Sequence, residues 1–241
     1  MGSLNTIMHP PDRKTQMKIK QLTAIFDFEL PRWKIPAFRG AIIEKSGREN
    51  ILFHNHSGDG FRYAYPLIQY KIIRRNPAVV CLNQGSEEIL KFFEKPDWSL
   101  VIHGEKTKTE ISHISFDYFI CEFLPKSLPY RIHNWFALNE KNYRKFDALE
   151  NETEKIRLLQ RILTGNILAF AKGIGWRIDS QIRVSIPRLP DHHLLTFKTH
   201  QMSGFTLDFT ANISLPEFIG LGKSVSRGFG LITRRKNRWN R

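Results

Sequence analysis

A strict alternation of apolar and polar residues near the C-terminus constrains the fold of this 241-residue chain more than any other feature. Every second residue from Phe205 to Ile213 is apolar, and the residues between them are Thr206, Asp208, Thr210 and Asn212. This period of two is typical of a β-strand with one face in the core and one in water, which favours an antiparallel sheet. Residues 201–204 are predicted to form a hairpin turn that joins this strand to another at 194–200. A further strand is predicted over residues 181–188.

A long amphipathic helix is predicted in the same half. Asn151 followed by Glu154 resembles a capping box, in which the two side chains satisfy free amides of the first turn. Apolar residues then recur at spacings of three and four, which places them on one face of a helix; they are Ile156, Leu159, Leu163, Ile167 and Phe170. Gly173 and Gly175 are predicted to end the helix.

The N-terminal half predicts strands and helices in a similar order. The predicted elements are a strand from residue 18 to 28, a helix over 33–45, strands at 65–74 and 79–82 with Asn76 and Pro77 as the turn before the second, a helix over 87–93 capped by Ser86, and strands near 100–102 and 111–116. Residues 119–136 are predicted to be extended segments interrupted by Pro125 and Pro129.

The order of these elements predicts an α+β protein with two tandem ferredoxin-like (RRM-like) domains and a C-terminal glycine-rich loop. Each half follows the β-α-β-β-α-β pattern, although no second helix is visible in the C-terminal half. The expected organisation is a disordered leader over residues 1–16, a first domain over 17–118 and a second over 119–241. The aromatic signature that lets RNA-recognition motifs stack bases on the sheet is not found, so that mode of binding is not supported.

The balance of charge points to a polyanionic partner. The chain has 37 Lys and Arg against 23 Asp and Glu, a net charge of +14. Nucleic acid is the first candidate and an anionic membrane surface the second. The basic C-terminal tail lacks the apolar stripe of a membrane-surface helix, and no apolar run approaches the roughly 18 residues of a spanning helix. No secretory stretch follows Met1, and Cys81 and Cys121 are the only cysteines, so we expect a cytoplasmic protein.

The most distinctive functional segment runs from Gly220 to Gly230, where four glycines flank a basic linker. Glycine lets backbone amides approach phosphate oxygens, and Lys and Arg add charge-assisted hydrogen bonds. A nucleotide P-loop is excluded because Glu217 occupies the position of its first glycine. A glycine-rich turn between two strands is the structural alternative. The residues predicted to contact phosphates are Gly220, Gly222, Lys223, Ser224, Arg227, Gly228, Gly230, Arg234 and Arg235.

A second segment carries side chains suited to proton transfer. His54 and His56 lie two residues apart, so both face one side of an extended chain, and Tyr63 can return to them across the next turn. Lys45 or Arg62, both near in sequence, could stabilise a phosphorane oxyanion. Three interpretations remain open: a general acid–base pair for RNA cleavage, a metal site with Asp59 as third ligand, and incidental polar surface.

The two segments together resemble a known family. Residues 220–230 resemble the G-h-G-x5-G-h-G loop of the RAMP-superfamily CRISPR RNA-processing endonucleases. Residues 24–75, particularly 34–40, 52–56 and 62–71, resemble the N-terminal domain of the b-subtype of that family. The resemblance extends over both halves of the chain.

This resemblance implies an activity and a set of catalytic residues. The expected activity is cleavage of a CRISPR precursor transcript within its repeats, without metal or cofactor. The 2′-hydroxyl attacks the adjacent phosphate and leaves a 2′,3′-cyclic phosphate and a 5′-hydroxyl. By position, the resemblance assigns catalysis to His54, His56 and Tyr63, with Tyr65 as a competing tyrosine and Lys45 as the nearest match to a family lysine.

The resemblance also implies partners and leaves rivals open. CRISPR repeat RNA is the expected ligand, and a homodimer and hand-over of the product to a CRISPR effector complex are consistent with the family. No membrane partner is expected. The principal alternative is a catalytically inactive RNA-binding protein of the same fold. A metal-dependent nuclease using His54, His56 and Asp59 is the other.

Overall fold

The computed structural model describes residues 16–47, 56–57, 60–61, 65–197 and 200–235. The N-terminal half begins with a strand, a 3-10 turn (Arg32–Lys34) and a helix, and it ends in a strand of 25 residues that continues into the second half. Its elements are β1 (Gln16–Phe26), α1 (Ile35–Ser46), β2 (His56–Ser57), β3 (Gly60–Phe61), β4 (Ile68–Ile73), β5 (Asn76–Leu82), α2 (Gln84–Glu88), α3 (Leu90–Phe93), β6 (Leu100–Ile102), β7 (Glu105–Thr107) and β8 (Ile111–Trp135).

The C-terminal half places two helices before its remaining strands. Its elements are α4 (Glu140–Asp147), α5 (Glu152–Gly173), β9 (Val184–Ser185), β10 (His192–Phe197), β11 (His200–Ile213) and β12 (Leu231–Arg234). The predicted long helix is confirmed as α5, and Asn151 caps it by accepting a hydrogen bond from the Thr153 amide at 2.8 Å. No helix in the described ranges is long and apolar enough to cross a membrane.

Both halves are organised around β8 in one antiparallel sheet. In the first half the strand order is β8-β1-β5-β4, and in the second half β12-β8-β11-β10. Both strand orders match a ferredoxin-like unit, in which the fourth strand lies beside the first, the first beside the third and the third beside the second. Strand β8 is the fourth strand of the first unit and the first strand of the second unit. Residues 111–122 of β8 pair with β1, whereas 123–135 pair with β11. The predicted division between residues 118 and 119 lies inside this strand.

Two apolar cores lie on the faces of this sheet. In the first, α1 and the short helices cover one face of the N-terminal strands, with Phe26, Phe38 and Phe92 fully buried. In the second, α5 packs against the C-terminal strands, and the opposite face of β1 and β5 joins the same core. The second core therefore contains apolar side chains from both halves of the chain. Because each fully buried apolar side chain contributes roughly 1.5–3 kcal/mol, this core also holds the two halves together.

The second helix of the C-terminal unit is replaced by a loop. Residues 214–230, all of which are described, form turns and isolated bridges between β11 and β12. The glycine-rich segment thus occupies the place where a ferredoxin-like unit has its last helix. This explains why no helical period is found there in the sequence.

Two predictions in the N-terminal half were wrong. Asn76 and Pro77 belong to β5, and the turn lies at Arg74 and Arg75, which have φ values of 51° and 78°. Pro77 is tolerated because there β5 pairs only with β4, and its pairing with β1 begins at the next residue. Ser86 does not cap a helix; its buried hydroxyl donates to the Cys81 carbonyl at 3.1 Å.

Three predictions in the C-terminal half also differ from the structure. Pro125 and Pro129 do not interrupt β8, which remains continuous past both. Residues 201–204 belong to β11 and do not form the hairpin turn, because Phe197 of β10 already pairs with His200. The strand expected over 181–188 is limited to the two residues of β9.

Candidate nucleic-acid interface

Backbone hydrogen bonds between its two ends close the glycine-rich segment into a loop. The Leu221 amide donates to the Gly230 carbonyl at 2.9 Å, and the Ile232 amide donates to the Ile219 carbonyl at 2.9 Å. At the tip, the Arg227 amide donates to the Ser224 carbonyl at 2.9 Å. The loop is therefore a hairpin-like projection with a fixed base. Its backbone has the form of the glycine-rich turn between strands, the structural alternative that the sequence offered.

Strand β4 of the first half holds this loop in place. Its side chains alternate, so that Tyr70 packs in the core beneath α1 while Gln69 points to the loop. The Gly220 amide donates to Gln69 Oε1 at 2.8 Å, and Tyr65 Oη donates to the Gly220 carbonyl at 2.8 Å. Gln69 Nε2 in turn donates to Tyr65 Oη at 2.8 Å. Both polar groups of the Gly220 backbone are thus satisfied by the N-terminal half.

Lys71 is the central contact beneath the loop. The side chain is fully buried, and Nζ donates to the carbonyls of Val225 at 2.8 Å and Phe229 at 3.3 Å. Burial lowers the pKa of Lys71 well below its usual value, and the Arg32 charge lowers it further. The amine thus donates to two carbonyls of the loop at once. Arg32 extends this contact by donating from Nη1 to the Gly228 carbonyl at 3.0 Å.

The glycines are required by protein packing. A Cβ at Gly220 would lie 2.5 Å from Lys71 Nζ, and one at Gly222 would lie 2.7 Å from Trp135 Nε1. At Gly230, where φ is +63°, a Cβ would collide with the backbone carbonyl oxygen of Leu221. From their spacing in the sequence, these glycines are predicted to contact phosphates. In the structure, the absence of a Cβ at these positions lets the loop lie close to Lys71, Trp135 and the Leu221 backbone.

The basic residues of this region differ in what holds them. Lys223 is exposed at the tip of the loop. Arg234 and Arg235 follow at the end of β12, where the Arg234 amide donates to Glu217 Oε1 at 2.8 Å. The Arg235 guanidinium lies 3.5 Å from a carboxylate oxygen of Asp208, which offsets part of its charge. Lys223 and Arg234 are therefore both exposed cations that can meet a phosphate.

The predicted catalytic residues fall largely outside the described part of the chain. His54 and Tyr63 lie outside the described residues, as do Asp59 and Arg62. His56 begins β2 and pairs through its backbone with Phe61. Lys45 is described near the end of α1: its Nζ donates to the Ser99 carbonyl at 2.8 Å and lies 3.3 Å from a carboxylate oxygen of Asp97.

Tyr65, the competing tyrosine, lies beneath the glycine-rich loop. Its ring packs edge-on against Phe170 with centroids 5.3 Å apart. Burial raises the pKa of its hydroxyl, whose hydrogen is donated to Gly220. A buried hydroxyl with its donor and acceptor both engaged is suited to anchoring a loop. Among the described residues no three or more His, Cys, Asp or Glu side chains cluster as metal ligands would.

An arginine-lined groove was missed by the sequence analysis. An open cavity of about 800 Å³ lies between α5 and residues 181–184. Arg157 and Arg161 stand one turn apart on α5, and Arg183 faces them from the other wall. None of the three forms an ion pair within the described ranges, and Glu154 is the one acidic residue that also lines the cavity, so the lining carries an excess of positive charge. The spacing of four between two arginines on the polar side of the helix was the available signal.

Two ferredoxin-like units that share a strand, with a glycine-rich loop in place of the last helix, define a RAMP-like fold of the Cas6 type. The chain belongs to the Cas6b family: the Cas6b N-terminal domain matches residues 17–119 and the Cas6b C-terminal domain matches residues 122–235.

Individual relatives agree with this membership. A crystal structure of Cas6b superposes with a TM-score of 0.80 at 28% identity, covering 91% of this chain and 100% of that one. A crystal structure of the CRISPR RNA processing endoribonuclease Cas6b gives a TM-score of 0.68 at 27% identity, with the same coverage of 91% and 100%. The uncharacterized protein MJ0978 of Methanocaldococcus jannaschii is 34% identical over 103 residues, which are 43% of this chain and 69% of that protein.

Replacing Lys71 with methionine should loosen the loop and flatten the pH dependence of stability. The lowered pKa means that the unfolded chain binds a proton which the folded chain lacks, between that lowered pKa and the usual lysine value. The free energy of unfolding therefore rises with pH across this window, and Lys71→Met removes that contribution. Loss of two hydrogen bonds to the loop should weaken RNA binding by about tenfold.

Denaturant unfolding at several pH values and RNA titration measure the two effects. Lys106→Met is the matched control, because it makes the same substitution at an exposed lysine on β7. Equal pH slopes and equal RNA affinities in the two variants would show that Lys71 does not position the loop.

Proposed function

We propose that this protein is an endoribonuclease that cleaves CRISPR precursor RNA within its repeats. Its membership of the Cas6b family, over both halves of the chain, carries this proposal. A solved relative covering 91% of the chain is described as a CRISPR RNA processing endoribonuclease. The net charge of +14 is consistent with a polyanionic substrate.

The proposed reaction is transesterification without metal. The 2′-hydroxyl at the cut site attacks the adjacent phosphorus, and the bond to the 5′-oxygen of the next nucleotide breaks. One histidine of the pair His54 and His56 removes the proton from the 2′-oxygen, and the other gives a proton to the leaving 5′-oxygen. The products are a 2′,3′-cyclic phosphate and a 5′-hydroxyl. Each proton and each bond is accounted for without a co-reactant.

The remaining catalytic residues are assigned by their surroundings. Because the hydroxyl of Tyr65 is buried and engaged with Gly220 and Gln69, we assign the catalytic tyrosine to Tyr63. Lys45 could stabilise the phosphorane oxyanion only by releasing its contacts with Ser99 and Asp97. These contacts make it the weakest member of the proposed group.

RNA is proposed to bind along the positively charged parts of the C-terminal half. Lys223 at the loop tip contacts a phosphate, and Arg157, Arg161 and Arg183 line the open groove of about 800 Å³ that receives the RNA backbone. Such contacts release counterions, so affinity should fall with salt by about 0.7 log units per contact for each tenfold increase in concentration, as for single strands.

The deciding experiment separates this reaction from its rivals. The purified protein is incubated in EDTA with a labelled CRISPR repeat RNA and, in parallel, with the same RNA carrying a 2′-deoxy group at the cut site. We expect cleavage of the first RNA and none of the second, with a 2′,3′-cyclic phosphate at the product end. Cleavage that requires added divalent metal would favour the metal-dependent nuclease, and tight binding without cleavage in either condition would favour an inactive RNA-binding protein.

A further inference from the structure

A β-bulge in β8 fixes the position of one asparagine beside the glycine-rich loop. The pairing of β8 with β11 shifts register at Thr206, which lies opposite two residues of β8, His133 and Asn134. Asn134 has a φ of 48°, in the left-handed region that asparagine tolerates better than most residues. Its amide donates to Thr206 Oγ1 at 3.1 Å, and its carbonyl accepts from the Gly230 amide at 3.1 Å. Bulges of this kind turn a side chain out of the regular pattern of a strand.

The side chain of Asn134 joins the two halves of the chain through Arg32 and His193. Its Oδ1 accepts from Arg32 Nη1 at 3.2 Å and from Nη2 at 3.3 Å, and its Nδ2 donates to His193 Nε2 at 3.2 Å. In the reverse orientation of the amide, Nδ2 would face the donors of Arg32, and neither group has an acceptor to offer. The acceptor nitrogen of His193 therefore fixes the amide in the orientation that holds Arg32.

These contacts leave one edge of the Arg32 guanidinium unused. Nη1 also donates to the Gly228 carbonyl at 3.0 Å, so both of its hydrogens are engaged, whereas Nη2 uses one of its two. Within the described ranges no partner is found for the second hydrogen of Nη2 or for Nε–H. These two hydrogens point in parallel on one side of the guanidinium. Such an edge is suited to binding a phosphate through two parallel hydrogen bonds.

No carboxylate in the described part of the chain balances the charge of Arg32. The side chain is half-buried, it forms no ion pair there, and burial lowers its pKa. Burial and then the Arg32 charge lower the pKa of Lys71, and burial, Arg131 and Arg32 in turn lower the pKa of His133. Lysine and histidine can release a proton in such surroundings, but arginine keeps its charge. A partly desolvated cation of this kind is stabilised by an anionic ligand.

We propose that the unused edge of Arg32 binds a phosphate group of the substrate RNA, and that Asn134 and His193 position Arg32 for this contact. The inference rests on the proposed function and adds a subsite to it. The hydrogen bond to Gly228 places Arg32 beside the loop to which RNA is proposed to bind. The anion that reaches Arg32 is therefore a phosphate of the RNA backbone rather than a carboxylate.

The salt dependence of RNA binding tests the phosphate contact. A repeat RNA with a 2′-deoxy group at the cut site, which the proposed reaction does not cleave, is titrated at several salt concentrations. The proteins are the wild type, Arg32→Met, Lys71→Met and Arg177→Met. Each phosphate contact contributes about 0.7 to the slope of log affinity against log salt for a single strand. We expect Arg32→Met alone to lose this contribution, together with about tenfold in affinity.

The other two variants are the controls for Arg32→Met. Lys71→Met removes a support of the loop without removing a phosphate contact, so we expect weaker binding with an unchanged slope. Arg177→Met removes the same charge as Arg32→Met from an exposed side chain that pairs with Asp179, so its affinity and slope should stay close to those of the wild type. Thermal unfolding of each variant confirms that it is folded.

Variants of His193 test the positioning of Arg32. His193→Phe keeps a ring but removes the acceptor of Asn134 Nδ2, so the amide is free to turn away from Arg32. We expect a loss of about fivefold in RNA affinity and a smaller salt slope. His193→Gln supplies a side-chain oxygen that can accept from Asn134, so it should restore both. His192→Phe is the matched control, because His192 is the preceding residue of β10 and its ring contacts Phe205 instead.

Different results would contradict the contact, its positioning or the proposed function. An unchanged slope in Arg32→Met would overturn the inference and leave the proposed cleavage standing, as would an equal loss of slope in Lys71→Met or Arg177→Met. Equal affinities of His193→Phe and His192→Phe would show that His193 does not position Arg32. Failure of the wild type to cleave the unmodified repeat RNA, with the expected slopes, would overturn the proposed function and support the phosphate contact.

Discussion

Alanine at His54 or at His56 is expected to lower the single-turnover rate of repeat-RNA cleavage by about 10²–10⁴-fold, the usual contribution of a general acid or base. The two proton transfers of the proposed reaction occur at opposite ends of the phosphorus displacement. Each histidine therefore serves one oxygen, and the other cannot replace it. RNA affinity should change by less than about threefold, because the imidazoles act on the transition state.

The measurement is single-turnover cleavage with the enzyme in excess, together with RNA binding by titration. His192→Ala is the matched control: His192 is an exposed histidine on β10 whose ring contacts Phe205, and its loss should leave the rate unchanged. If His54→Ala and His56→Ala each cleave at the wild-type rate, the catalytic group lies elsewhere. The dependence of the cleavage rate on pH would separate the base from the acid, if each variant loses one of the two limbs of the wild-type pH–rate profile.

The sequence predicted correctly the strand and the helix in which the spacing of apolar residues matches the face that is buried. The alternation from Phe205 to Ile213 and the apolar face of α5 were both confirmed, because each element places one face in a core. Prolines were misleading in β8 and β5, where tertiary pairing tolerated them. At Pro77 the strand has a neighbour on one side only, a fact that depends on the whole sheet and that local sequence does not contain.

The contacts that hold the glycine-rich loop could not be predicted, for the same reason. The glycine-rich loop was found from spacing alone, yet its support was not, since Lys71 and Val225 are 154 residues apart. The sequence did place Gln69 and Lys71 on one face of β4, opposite Ile68 and Tyr70. Polar residues on a buried face of a strand indicate a buried polar contact, and here that contact is the underside of the loop.

The loop also predicts the effect of a single methyl group. Gly230→Ala is expected to lower the free energy of unfolding by about 3 kcal/mol and to weaken RNA binding by more than tenfold. The backbone at Gly230 has a φ of +63°, and the new Cβ would collide with the Leu221 carbonyl oxygen. The loop segments at Leu221 and Gly230 cannot move apart easily. The Leu221 amide donates to the Gly230 carbonyl at 2.9 Å, and the Gly230 amide donates to the Asn134 carbonyl at 3.1 Å.

Gly165→Ala is the matched control for this substitution. Gly165 lies in α5 with open space around its missing Cβ, so alanine there should raise stability by about 0.5–1 kcal/mol through its better helix propensity. Denaturant unfolding and RNA titration on both variants distinguish the two sites. A Gly230→Ala protein with wild-type stability and wild-type RNA affinity would mean that the loop relaxes around the methyl group. The close contacts with β4 and β8 would then not hold the loop in its RNA-binding position.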